Sequence, residues 1–157
     1  MKRILAVLCL ISSVFLFGVS AAYAVPAEDF TLTALDGNAV TLSDFKGKEN
    51  VLLVFGATWC PYCIEEIPTL KDLHAQYGTQ GLAILALDIR EPLDKVRAFA
   101  DKKGITYTVL LDSDGTVAAH YGVRGIPTNI FIDKNGEILY RGSLDREKVE
   151  SLLKENT

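Results

Sequence analysis

Cysteine is scarce in this chain. There are three among 157 residues, and one of them, Cys9, lies in the apolar run near the start. The other two are too few for a disulfide scaffold, so the fold must rest on an ordinary hydrophobic core. There is no second Cys-x-x-Cys, and the two histidines, His74 and His120, are distant in sequence and read as helix-surface residues. A four-ligand zinc site is therefore not expected. Ile64 follows the cysteine pair where haem attachment would want histidine. Positive charge is also short: 16 Lys and Arg stand against 20 Asp and Glu, a net charge of −4, with no clustered basic surface of the kind that holds nucleic acid. Beyond the N-terminus there is no second membrane-length apolar run, no low-complexity tract and no internal repeat.

What the N-terminus has is an export pattern. Lys2 and Arg3 precede an uncharged apolar run over residues 4–17, and Ala22-Tyr23-Ala24 has the small-x-small form cut by a signal peptidase. Residues 1–24 are expected to be a removed signal peptide, leaving a periplasmic protein. The alternative is an uncleaved helix through residues 19–22 that anchors the protein to the outer face of the inner membrane. Leu8 before Cys9 is not the small residue that lipid attachment requires. Residues 25–157 are then 133 residues (157 minus 24), enough for one domain. Loss of Lys2 and Arg3 lowers the basic count from 16 to 14 and takes the net charge to −6.

Apolar periodicity orders that domain. Residues 30–35 and 39–42 read as short strands joined through the turn Asp36-Gly37-Asn38. Residues 51–55 are an unbroken apolar run, as in a central strand covered on both faces. Ile64, Ile67, Leu70 and Leu73 recur at helical spacing from Cys60 to Tyr77, with Pro68 as a kink and Gly78 as a stop. A second buried strand over 82–87, a helix from Pro92 to Gly104, a strand over 108–111 and one or two helical turns over 116–121 follow. Strands over 129–132 and 138–141 flank Asp133-Lys134-Asn135-Gly136, a hairpin signal, and the last helix carries Val149, Leu152 and Leu153 on one face. The alternation implies an α/β domain with a mixed sheet between helices.

The chemistry concentrates in Trp59-Cys60-Pro61-Tyr62-Cys63, where a buried strand meets a helix. At a first helical turn, free backbone N–H groups and the positive end of the dipole favour a thiolate, so Cys60 is expected to have a lowered pKa and to be the nucleophile. Cys63, one turn further in, is expected to be more buried and to resolve the mixed disulfide. Pro61 and Tyr62 tune the redox balance. The bland reading is a static bridge, but a loop so small restrains the unfolded chain little.

These motifs carry a resemblance to a known family. The segments Phe30-Thr31-Leu32, Leu42-Ser43-Asp44-Phe45-Lys46-Gly47-Lys48, Ala57-Thr58-Trp59-Cys60-Pro61-Tyr62-Cys63 and Gly122-Val123-Arg124-Gly125-Ile126-Pro127-Thr128, with the kinking Pro68, resemble exported thioredoxin-like proteins of the TlpA/ResA type across residues 27–156. The resemblance implies a thioredoxin fold with an N-terminal β-hairpin and a central αβ insertion, near residues 93–111. It implies that Pro127 is a cis-proline against the cysteine pair and that the Ile126 backbone faces an extended substrate segment beside Trp59, Pro61 and Tyr62. The bland reading of Pro127 is a trans proline that opens a strand. Thioredoxins keep a buried Asp below the cysteines, and the matching position here is Val54. A glutamate after the next strand, matching Glu91, is then implied as the proton-transfer group, with burial raising its pKa. The alternative places Glu91 at a helix start for its charge alone.

The resemblance also implies a monomeric protein thiol-disulfide oxidoreductase without cofactor or metal. Pro-Tyr between the cysteines and Ile before the proline resemble reducing members, which places the potential between about −180 and −270 mV. An exported reductant needs a membrane electron donor, by analogy of DsbD/CcdA type, and exported protein disulfides as substrates. Apocytochrome c cysteines and copper-site cysteines of oxidase assembly are both implied, although Thr128 stands where CcmG-like cytochrome maturation proteins carry an acidic residue. A disulfide oxidant or isomerase is the alternative, with a copper-binding assembly factor behind it. The Pro-x-x-x-Thr-x-x-Cys pattern of peroxiredoxins is missing, since Leu53 and Ala57 stand before Cys60.

Overall fold

The computed structural model describes residues 25–156. The expected signal segment, residues 1–24, lies outside the described residues. Apolar composition sets the centre of the fold: β4 (Asn50–Gly56) is buried from Asn50 to Phe55. Its parallel neighbour β5 (Leu82–Ile89) pairs Leu52 with Ile84, Val54 with Ala86 and Gly56 with Asp88. On its other side β4 runs antiparallel to β7 (Thr128–Ile132), which turns through Asp133 to Gly136 into β8 (Glu137–Gly142). β6 (Thr108–Asp112) lies parallel beyond β5. The hairpin β2 (Thr31–Ala34) and β3 (Ala39–Thr41) extends the sheet past β6. With β1 (Val25–Pro26) against β8, the eight strands run β1-β8-β7-β4-β5-β6-β2-β3.

Alternation along β4 separates two cores. Leu52 and Val54 join Leu70 and Leu73 of α1 (Pro61–Tyr77), Val96 of α2 (Leu93–Lys103) and Val149, Leu152 and Leu153 of α4 (Arg146–Glu155). Val51, Leu53 and Phe55 face the other way, onto Val117 and Ala118 of α3 (Thr116–His120) and Leu42 of the 3-10 turn Leu42–Phe45. Both expected hairpins, the central strand and every expected helix are present. β1 is an addition, two residues long with a partner on one side only.

Local stops differ in one place. Gly104 ends α2 in the left-handed region at φ 58°, as a glycine cap should. Gly78 instead keeps a right-handed φ of −57°, and the left-handed turn after α1 falls at Gly81, φ 92°. Pro68 sits within α1, which continues through it from Pro61 to Tyr77.

Candidate active site

Cys60 is the N-cap of α1, with Pro61 supplying the first helical residue, where a missing N–H costs nothing. Its Sγ accepts a hydrogen bond from the Cys63 backbone N–H at 3.2 Å and is joined to Cys63 in a disulfide with the two Cα atoms 5.3 Å apart. A negative sulfur at Cys60 would therefore face a backbone donor and the positive end of a 17-residue helix.

The burial order reverses the expectation. Cys60 is only 3% exposed, whereas Cys63 is half-buried. The cap turns the Cys60 sulfur inward onto the helix. Cys63 lies over Gly56, which has no side chain to cover it: a Cβ built there would sit 3.4 Å from the Cys63 Sγ. Around this pair Trp59 and Tyr62 are 65% and 70% exposed, an unusual cost for two large rings that leave most of their surface in water.

Two surface grooves flank the disulfide. Trp59 and Ile126 share one with Arg90 and Arg124; Tyr62 and Pro127 share the other with Glu66 and Arg146. The Ile126-Pro127 peptide is cis, and it stands between the two grooves because its two residues line one each. Thr128, after it, donates its hydroxyl to the Gly125 carbonyl at 2.7 Å.

Beneath the pair, on the α1 side of the sheet, is a mostly apolar cavity of about 60 Å³ that Cys63, Val54 and Phe99 line together with one carboxylate, Asp88. Asp88 is buried, and its Oδ1 has no hydrogen-bond partner. Desolvation, then the adjacent negative charge of Glu91, pushes its pKa up to about 8. Glu91 behaves in the opposite sense. It is buried, which alone would raise its pKa, but hydrogen bonds from Lys95, from the Thr58 N–H at 2.6 Å and hydroxyl at 2.8 Å, and from Asp88 outweigh this and hold it below the usual range. The expected raised pKa at Glu91 is thus corrected: the donors around it favour the anion, and the high-pKa acid is its neighbour Asp88. Arg90 between them has φ 59°, a left-handed turn that brings the two carboxyl groups together and is held by its Nε–H to the Asp114 carbonyl at 3.1 Å.

Asp88 and Glu66 were not singled out from sequence. Glu66, half-buried on α1, accepts from the Asn129 side chain at 3.1 and 3.2 Å and from the Leu144 N–H at 3.2 Å. An aspartate closing an otherwise apolar run, residues 82–87 followed by Asp88, was the available signal. Of the histidines, His120 is exposed and lies 3.3 Å from Glu28, while His74 is half-buried with its ring edge-on to Tyr107. Among the described residues no cluster of three His, Cys, Asp or Glu side chains could hold a metal ion, and no helix is long and apolar enough to cross a membrane.

Residues 24–141 match the AhpC/TSA family. A thiol-disulfide oxidoreductase ResA of Geobacillus kaustophilus is 40% identical over 126 residues, 79% of this chain and 72% of that protein. The chain belongs to this family, among its ResA-type thiol-disulfide oxidoreductases. The solved structures agree. A thioredoxin-family thiol:disulfide interchange protein of Chlorobium tepidum superposes with a TM-score of 0.74 at 26% identity, over 86% of this chain and 97% of that one. A candidate protein disulfide isomerase of Bacteroides thetaiotaomicron gives 0.74 at 36% identity, over 84% and 86%. The fold is the thioredoxin fold, and this ResA-type protein is a thiol-disulfide oxidoreductase.

Proposed function

We propose that the enzyme reduces disulfides of exported proteins outside the cytosol, with Cys60 attacking and Cys63 resolving. The observation that carries this reading is the Cys60 sulfur at the helix cap, accepting the Cys63 N–H, between two exposed aromatic rings and two grooves. The Cys60 thiolate attacks a substrate disulfide and expels one substrate thiolate. Cys63, as thiolate, then attacks the Cys60 sulfur and expels the second. The substrate gains two electrons, and the Cys60–Cys63 disulfide forms. Trp59, Pro61, Tyr62 and the Ile126-Pro127 segment receive the extended substrate chain.

The N-terminal apolar segment supports an extracytoplasmic location, either free in the periplasm or anchored to the inner membrane. Pro61-Tyr62 and Ile126 support the reducing direction, with electrons from a membrane dithiol donor of DsbD/CcdA type. Thr128, in place of an acid after the proline, favours a general reductant over one dedicated to cytochrome c cysteines. The 36% identical candidate isomerase supports isomerisation as the second reading. Trapping with Cys63→Ser tests both: mixed disulfides on Cys60 should accumulate and identify exported substrates by mass spectrometry. In the cell the wild-type pair should be mostly reduced. A predominantly oxidised pair would mark an oxidant instead.

A further inference from the structure

The central strand β4 carries no acidic residue, and Val54 faces the α1 side of the sheet. The acid at the floor of the present site comes from the next strand. Gly56 pairs in register with Asp88 across β4 and β5, and register partners project to the same face about 4.8 Å apart. The Cβ direction of Gly56 points at the Cys63 sulfur. Asp88 therefore emerges on the same face as Cys63, one strand over. The two line one cavity, with an Asp88 oxygen left without a partner.

We propose that Asp88 is the proton carrier for Cys63, taking the thiol proton when the disulfide closes and returning it when the disulfide opens. The inference rests on the assignment of Cys60 as attacking and Cys63 as resolving sulfur. On closure the Cys63 S–H bond breaks as its sulfur bonds to Cys60, the substrate thiolate leaves with the electron pair of the old bond, and the proton moves to the Asp88 carboxylate. On reduction a donor thiolate attacks Cys60, Cys63 leaves with the electron pair, and the Asp88 carboxyl returns the proton. One proton shuttles and nothing else is consumed. A 60 Å³ space has room for a bridging water.

The groups facing Asp88 fit this task. Cys63 comes from α1, Glu91 from the loop after β5, Lys95 from α2, and Tyr107 from the segment before β6. Tyr107 stays neutral, its pKa raised by burial and then by Glu66. Glu91 remains the anion through Thr58 and Lys95, so of the two carboxyl groups it is Asp88 that carries the proton in the oxidised state. Glu91, which does not line the cavity, acts as a positioning residue.

Stopped-flow reaction of the reduced protein with dithiobis(nitrobenzoate) separates the steps. One nitrothiobenzoate is released as Cys60 is capped and a second as Cys63 closes the disulfide. Asp88→Asn, near-isosteric and free of the buried charge, should leave the first phase unchanged and slow the second about 100-fold at neutral pH. The gap should narrow as pH rises and hydroxide removes the thiol proton unaided. Asp88→Glu should recover part of the rate, whereas Asp88→Ala should not. A second phase in Asp88→Asn with the wild-type rate and pH profile would overturn the proposal. If Cys63→Ser retains the second phase, or Cys60→Ser the first, the assignment of the two sulfurs falls, and the proposal with it.

Discussion

The two sides of the Cys60–Cys63 disulfide are built to opposite rules. The outer side presents Trp59 and Tyr62 to solvent beside two grooves. The inner side is a small apolar space under Cys63 that admits one acid, Asp88, and backs it with a second carboxylate held by Thr58 and Lys95. A mixed disulfide requires both. Cys60, although the less exposed sulfur in the disulfide, must meet chains of many shapes, and Cys63 must exchange a proton in the same place every time. Selectivity belongs to the exposed side and rate control to the inner one.

Substitutions can separate the two sides. Cys60→Ser should abolish disulfide reduction in an insulin turbidity assay, while Cys63→Ser keeps the first attack and stalls as a mixed disulfide visible on a non-reducing gel. Trp59→Ala should raise KM for a folded protein disulfide about tenfold, the loss of roughly 1.4 kcal/mol of contact. It should leave the rate with a small aryl disulfide unchanged and stability within about 0.5 kcal/mol. Equal loss on both substrates would show that the ring serves the cysteine rather than the partner. On the inner side, Gly56→Val should overpack the space against the Cys63 sulfur and destabilise the oxidised protein by about 1–3 kcal/mol in a denaturant titration.

A further effect is on pH dependence. Burial, and then the negative charge of Glu91, push the folded pKa of Asp88 up to about 8, above the ordinary carboxyl value of 3.8. The native state therefore binds the proton more tightly than the unfolded chain, and the contribution of Asp88 to stability is complete below about pH 4 and lost as pH rises toward 8. The melting temperature of the oxidised protein should carry this downward component, and Asp88→Asn should remove it.

The exposed side was the more legible in sequence. Trp59 to Cys63 and the Ile126-Pro127 pair are local motifs whose residue types name their chemistry, and the strand before them and the helix after them follow from residues 51–55 and the repeat from Ile64 to Leu73. The inner side depends on relations no local pattern shows. Asp88 reads as the polar end of a strand until the register sets it against Gly56 and α2 removes its water. Glu91 reads as a buried acid of raised pKa until Thr58 and Lys95 supply donors. The reversed exposure of the two cysteines shows only in the folded site. β1 was unreadable because two residues paired on one side leave no periodicity.

Arg90 lies against Gly115 so closely that a Cβ at that position would sit 2.6 Å from its Nε. The orientation of the carboxylate pair is therefore tied to the absence of a methyl group on the turn before α3, in a part of the chain that carries no redox chemistry. Gly115, itself at φ 77°, works as a remote fulcrum. A residue of any bulk there would swing the arginine, loosen the turn that sets Asp88 against Glu91, and detune the enzyme without touching a sulfur.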